Sequence, residues 1–376
     1  MHMIKIPFLQ PNLVKQETFT NYLSQIERSR WYSNYGPLNT LFENRVIDEY
    51  YDGNGAVITV NNATIGLMLA INQRKRPKGR FALMPSFTFS ATPLAAIWCG
   101  LEPYFVDVKK DDWCMNEELV EELLRKLGDK VAVVVPYTTF GTDLSLSFYK
   151  QIEESGVPVV FDAAPSFGTS GHNGSFGKDF PGLIVFSFHA TKSFGIGEGG
   201  LVYSADKDLI GQIRKAGNFG FSTNKETILQ GLNSKISEYT AAIALATLDT
   251  FSEKIRMRQE IYQWYREQFQ QIPVLKEKWQ LQKTEGEIAY QFMPVLCPKD
   301  QSNAEFVKLL ADNHIEARTY FSPTCHQQGF FQSFKQTLLP VTKDISERIL
   351  SLPLWEGMEK KDTVKITQVI ARGLEP

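Results

Sequence analysis

Apolar residues along this chain fall in two alternating rhythms. Short unbroken runs rich in β-branched residues are followed by segments whose apolar positions recur at helical spacing. AVITV (56–60) reads as a buried strand and ATIGLMLAIN (63–72) as the helix after it. FALMP then predicts a strand, and TPLAAIWCG a helix ending at Gly100. EPYFVDV and KVAVVVPY predict strands that flank the amphipathic helix NEELVEELLRKLGD. LSFYKQIEESG closes a further helix at Gly156, and VPVVFDAA and GLIVFSF are strands again. Buried strands alternating with helices imply a largely parallel α/β sheet covered on both faces, with right-handed crossovers.

The rhythm changes at both ends. The first 50 residues form a mixed arm, with WYSNYGP (31–37) leading into a helical LFENRVIDEYY. After Gly200, LVYSADK is strand-like, and a long helix is expected from near Ser237 to about Gln270. YQFMPVLCP (strand), NAEFVKLLADNHI (helix), EARTYF (strand) and a last helix after Lys361 complete a smaller α+β unit. The expected division is a large α/β domain with its arm over 1–250 and a small C-terminal domain over 251–376.

Composition narrows the function. The 376 residues carry 40 basic and 42 acidic side chains, a net charge of −2, with 43% hydrophobic and 22% charged residues. These are globular values. RKRPKGR (74–80) reads as a solvated turn, so nucleic-acid binding is disfavoured. Cys99, Cys114, Cys297 and Cys325 have no CxxC spacing and make no disulfide framework in a chain of this length. With no signal-peptide core and no apolar run of the ~20 residues that cross a bilayer, a soluble cytoplasmic protein without membrane partners is expected.

The candidate chemistry lies in FSFHATKSFGIGEGG (186–200), where a strand runs into a polar stretch, Lys192 and a glycine-rich turn. Open α/β sheets bind ligands at strand ends, although a lone lysine there is ordinarily solvated. VVFDAA places Asp162 at another strand end, as a cap or as the partner of a buried cation. A pyridinium nitrogen needs such a carboxylate to stay protonated. In VNNATIGLML the N–H groups of Ala63 and Thr64 open a helix and can hold an anion, or Asn62 or Asn61 simply caps it. Ser187 can add a hydroxyl to the same anion. Phe89, in PSFTFSAT, can cover an aromatic ring or belong to the core.

Taken in order, NYGP, VNNAT, PSFTFSAT, FDAAPSFG, FSFHATKSFGIGEGG, GLNSKISEYTAA, RTYF and LSLPLWEGM resemble the pyridoxal-phosphate nucleotide-sugar aminotransferases of the DegT/StrS type. The resemblance covers nearly the whole chain. It implies the aspartate-aminotransferase-like fold (fold type I) and pyridoxal 5′-phosphate as cofactor, passing through its pyridoxamine form during turnover. Lys192 then matches the Schiff-base lysine, Asp162 the partner of the ring nitrogen and Phe89 the stacking aromatic. Ala63, Thr64 and Ser187 match the phosphate cradle. Asn233 matches the residue that reaches the neighbouring subunit's cofactor, which implies a homodimer with shared sites. Lys235, Tyr320 and His326 match substrate-facing positions. Pro165 departs from the pattern, since relatives often carry Gln or His there. Retention of lysine argues against the dehydrating branch of the fold, which has histidine in its place. The resemblance further implies L-glutamate as donor, with 2-oxoglutarate released. The acceptor is expected to be a nucleotide-linked keto-sugar aminated at C4 of a dTDP-4-keto-6-deoxyhexose, for a surface polysaccharide such as O-antigen or a glycosylated metabolite. A C3 aminotransferase and a cofactor-binding regulatory protein without turnover are the alternatives.

Overall fold

The computed structural model describes residues 4–374, so the outermost residues of both expected domains, 1–3 and 375–376, lie outside the described residues. Seven strands form the body of the large sheet: β1 (Ala56–Val60), β2 (Phe81–Pro85), β3 (Glu102–Val106), β4 (Val131–Val134), β5 (Val160–Asp162), β6 (Leu183–Ser187) and β7 (Gly200–Ser204); the two-residue strand Lys335–Gln336 adds parallel to β3 at its outer edge. Across it they lie in the order β3-β2-β4-β5-β6-β7-β1, with β4 and β5 joined by the parallel bridges Val134–Val159 and Tyr137–Asp162. β2 runs parallel to β3 and β4, and β5 parallel to β6. Only β7 is antiparallel to its neighbours, β6 and β1. The reason is local. Parallel neighbours need a crossover connection, but residues 188–199 contain no helix, so the chain after β6 can only turn back.

This reversal aligns the site. Val60 pairs with Gly200, and Gly200 pairs with Ser187. Three chain segments far apart in sequence therefore meet at one edge of the sheet, at strand spacings of about 4.8 Å. Asp162 lies one strand further along, opposite Val185. Both faces of the sheet are dry. One carries the core of Phe42, Val46, Phe161, Phe186, Leu201 and Leu245. The other carries Ile58, Leu67, Ala70, Met84, Val185 and Ile213. Gly66 in helix Ala63–Arg74 permits close packing, because a Cβ there would stand 2.9 Å from Val185 Cγ1.

The expected long helix is continuous over Glu238–Gln271. Its first half, with Ala241, Leu245 and Phe251, packs on the large sheet. Its second half, with Ile261, Tyr265 and Phe269, belongs to a separate core that includes Val295, Leu310, Leu350 and Ile366. That core is built on an antiparallel sheet of Gln280–Leu281, Met293–Leu296 and Ile349–Leu352. Ile6 also belongs to it, so the N-terminal arm reaches the C-terminal core before the helices Gln16–Ser29 and Pro37–Tyr51 begin. EARTYF, expected as a strand, is not one. Only Arg318 bridges to Ser351, after which the backbone turns so that Tyr320 and Phe321 enter an aromatic cluster with Phe8, Phe87 and Phe140. All four cysteines are free and buried. No helix among the described residues is long and apolar enough to cross a membrane.

Candidate active site

Lys192 sits in the turn between β6 and β7, held by its own amide donating to His189 O (2.8 Å) and by Ala190 donating to Gly197 O (2.8 Å). Gly195 lies against Ala190, where a Cβ would stand 2.6 Å from the carbonyl oxygen. The side chain is directed inward. Burial lowers the Lys192 amine to about 8, against the pull of the nearby Asp162 carboxylate, which raises it. At neutral pH this increases the uncharged fraction by about two orders of magnitude over an ordinary lysine at ~10.4.

Asp162, 2% exposed, ends β5. Its Oδ2 accepts from Thr92 Oγ1 at 2.6 Å and its Oδ1 from the Ala164 N–H at 3.2 Å. Thr88 and Thr92 hydroxyls are 2.8 Å apart, so with Thr92 donating to Asp162, Thr88 donates to Thr92. Burial raises the Asp162 carboxyl above the usual range, opposed first by the Thr92 hydrogen bond, then by Ala164 and the Lys192 charge. A buried carboxylate with two hydrogen-bond donors and one cation beside it suits a further cationic partner. Phe89 lies on the same loop, between the two threonines, with its ring 60% exposed and 6.4 Å from that of Phe321.

At the aligned sheet edge, Asn62 caps helix Ala63–Arg74 by accepting from Ile65 N–H at 2.9 Å. The first-turn amides of Ala63 and Thr64 have no acceptor within the helix. Gly200 opens the space before them, since a Cβ would stand 3.0 Å from Ala63 N and 2.8 Å from Phe186 O. Ser187 is buried beside Gly200, and its Oγ accepts from His189 N–H at 3.3 Å. The residues expected to hold an anion, two amides and one hydroxyl, are thus brought together beside a glycine.

The remaining candidates are placed differently. Asn233 is exposed on a segment that bridges Asn218, and the next carbonyl, Ser234 O, accepts from Asn61 N–H at 2.7 Å. Lys235 Nζ donates to Asn218 Oδ1 at 2.8 Å and lies 4.7 Å from the centre of the Phe219 ring. His326 Nδ1 lies 2.7 Å from Ser86 Oγ, just past β2, and burial lowers its imidazole. Tyr320 accepts from Arg318 Nη1 at 2.9 Å and packs edge-on to Phe8. Pro165 is buried, with its carbonyl close to Gly141, where a Cβ would stand 3.0 Å from it. Sequence reasoning missed Thr92, Gly200, Phe321 and Gln291. Thr92 had a signal, as the hydroxyl one helical turn after Phe89; Gln291 had none.

The DegT/DnrJ/EryC1/StrS aminotransferase family profile matches residues 14–371. The chain belongs to this family. A putative PLP-dependent aminotransferase from Bacillus cereus ATCC 10987 superposes with a TM-score of 0.95 at 50% identity, covering 98% of this chain and 99% of that one. DesI, solved in the presence of its TDP-sugar product, superposes with a TM-score of 0.86 at 29% identity over 97% of this chain and 92% of its own. The dTDP-4-amino-4,6-dideoxy-D-glucose transaminase of Escherichia coli is 28% identical over 374 residues, 97% of this chain and 98% of that protein. GDP-perosamine synthase of Escherichia coli O157:H7 is 25% identical over 369 residues, 97% of each chain. A UDP-N-acetyl-3-dehydro-alpha-D-glucosamine 3-aminotransferase of Acidithiobacillus ferrooxidans is 27% identical over 315 residues, 83% of each chain.

The protein is a pyridoxal-phosphate-dependent aminotransferase of fold type I. The residues present fit that cofactor. Lys192 offers a buried, weakly basic amine, Asp162 a buried carboxylate, and the Ala63–Thr64 helix start a place for phosphate.

Proposed function

We propose that this aminotransferase moves the amino group of L-glutamate to a nucleotide-linked keto-sugar, at C4 of a dTDP-4-keto-6-deoxyhexose. The observation that carries the reaction is the placement of the Lys192 amine, enclosed within electrostatic reach of Asp162. Similarity to the Escherichia coli dTDP-4-amino-4,6-dideoxy-D-glucose transaminase supports the sugar and the carbon, and the likeness to DesI, solved with its TDP-sugar product, supports the nucleotide.

When bound, pyridoxal 5′-phosphate supplies an aldehyde for amine exchange and a protonated ring that takes up electron density. The chain's residues do the rest. Asp162, held in place by Thr92 and the Ala164 amide, would keep the ring nitrogen protonated. Ala63, Thr64 and Ser187 would hold the phosphate, and Phe89 would cover one ring face. Lys192 Nζ takes the proton from the donor's α-carbon; in the second half-reaction it delivers a proton to the sugar carbon that receives nitrogen. Lys235, Tyr320 and His326 face the sugar nucleotide. Two chains pair so that Asn233 of each completes the phosphate site of the other, which accounts for its exposure in the single chain.

The test is incubation with cofactor, L-glutamate and a panel of dTDP-, UDP- and GDP-keto-sugars, with NMR of the product. Nitrogen at C4 of the dTDP sugar is expected. Nitrogen at C3 would support the second reading, favoured by the likeness to the 3-aminotransferase. Loss of the lysine-bound cofactor's absorbance on adding glutamate alone separates an enzyme from a regulatory protein.

A further inference from the structure

The Lys192 amine donates a hydrogen bond, and its acceptor is not Asp162. It is Oε1 of Gln291, 3.1 Å away and 99 residues further along the chain. Gln291 is 9% exposed and stands just before the strand Met293–Leu296 of the C-terminal core. Its backbone is clamped from behind. Arg258 Nη1 donates to Tyr290 O at 2.7 Å and to Gln291 O at 3.5 Å, and Gln259 Nε2 donates to Ile288 O at 2.7 Å. Arg258 Nε in turn donates to Glu356 Oε1 at 2.7 Å, and both side chains are buried, 6% and 4% exposed. Arg258 and Glu356 line a small cavity together with Lys192, Ser193 and Lys254.

The chemistry of this acceptor is specific. A carboxylate at position 291 would hold the lysine as ammonium and unfit it to accept a proton. A hydrocarbon would leave a buried N–H without a partner. An amide oxygen accepts a hydrogen from the neutral amine as well as from the ammonium, more strongly from the latter, without adding charge. The other titratable and charged groups around the amine are Asp162 with Tyr137 beyond it, His189 and Glu198 on its own turn, and Lys254, Arg258 and Glu356 across the cavity. The amine therefore stands between a charged partner on the sheet and a neutral one on the C-terminal unit.

We propose that Gln291 is a positioning residue for Lys192. Its amide oxygen receives the lysine amine whenever that amine is not bonded to cofactor, and the buried Arg258–Glu356 pair sets where the oxygen stands. This rests on the reading of Lys192 as the cofactor lysine. It makes the C-terminal unit part of the base's environment, so that displacement of that unit would release the amine.

Gln291→Glu and the volume-matched Gln291→Met test it on the whole protein. The first readout is the pKa of Lys192 in cofactor-free protein, from the pH dependence of its acylation by acetic anhydride, read by peptide mass spectrometry. The second is the rate at which pyridoxal phosphate attaches, trapped by borohydride. Gln291→Glu should raise the Lys192 value by about 1 unit or more, as opposite charges at such distances do. Gln291→Met should lower it by about 1 unit, the difference between a hydrogen bond from a charged donor and one from a neutral donor, and change the attachment rate. Gln291→Asn, too short to reach the amine, should behave like Gln291→Met. If wild type attaches cofactor at Lys192 but either folded variant keeps the wild-type pKa and attachment rate, the proposal falls while the site assignment stands. If wild type attaches no cofactor at Lys192, the site assignment itself falls.

Discussion

Deleting the Thr92 hydroxyl isolates the part of Asp162's charge that this hydrogen bond supports. Thr92 Oγ1 donates to Asp162 Oδ2 at 2.6 Å in a site where the carboxylate is 2% exposed. A hydrogen bond to a charged group contributes about 1.5–3 kcal/mol, one between neutral groups about 0.5–1.5. Thr92→Val keeps the volume and removes the donor. Where Asp162 is ionised, the cofactor-free variant should lose about 1.5–3 kcal/mol through this bond. A smaller, pH-independent loss comes from Thr88, whose hydroxyl then lacks its 2.8 Å partner. In acid, with the carboxyl protonated, the Asp162 loss should shrink to about 0.5–1.5 kcal/mol. The difference of roughly 1–1.5 kcal/mol corresponds to about one pKa unit. The sign follows from the direction of the shift. The folded Asp162 carboxyl is raised, so its contribution is fully present below the unfolded value near ~3.9 and is lost as pH rises through the folded value. Thr92→Val raises the folded value further and deepens that loss. Urea midpoints of wild type, Thr92→Val and Thr92→Ser, measured from mildly acid to neutral pH, would show a gap that widens toward neutrality for valine and is largely closed by serine. A gap of constant size at every pH would refute the argument that this bond acts on the charge of Asp162.

Other perturbations probe the remaining parts. Lys192→Ala should bind cofactor without a covalent bond and abolish turnover; transaminase activity in that variant would end the assignment. In wild type, acylation of Lys192 in cofactor-free protein should titrate with a midpoint near 8, being fast above it and falling as pH drops below it, and a midpoint near that of an ordinary lysine would contradict the buried placement. Gly200→Ala puts a methyl 3.0 Å from Ala63 N and 2.8 Å from Phe186 O, so affinity for pyridoxal phosphate should drop at least about tenfold, one hydrogen bond's worth. An unchanged dissociation constant by fluorescence titration would remove Gly200 from the cradle. Glu356→Leu strands the Arg258 guanidinium in a dry site and should cost about 3–5 kcal/mol, read as a lower unfolding midpoint; no change would show that water reaches Arg258.

Strands, helices and their alternation were readable in the linear chain because burial on both faces leaves continuous apolar runs that periodicity detects. AVITV, FALMP and the long helix after Ser237 follow that logic, and each is observed. The elements read differently are short or held by distant partners. EARTYF has strand-forming residues, but it finds only Ser351 to bridge before the aromatic cluster captures it. Helix Gln16–Ser29 went unread although Phe19, Tyr22, Leu23 and Ile26 recur at helical spacing, and of these only Ile26 is fully buried.

At the site, chemistry that lies within one segment could be read directly. A lysine after a strand with glycines beyond it, an aspartate ending a strand and an amide-rich helix start are local patterns, because strand ends and helix starts expose backbone and side chain together. Which segments face one another was decided only by the fold. The return of β7 against β6 and β1 places Gly200 between Ser187 and Val60. The Thr92 bond to Asp162 spans 70 residues, and the Gln291 bond to Lys192 spans 99. Such partners carry no periodicity of their own. They are selected by the packing of one unit against another, which exists only once the chain has closed.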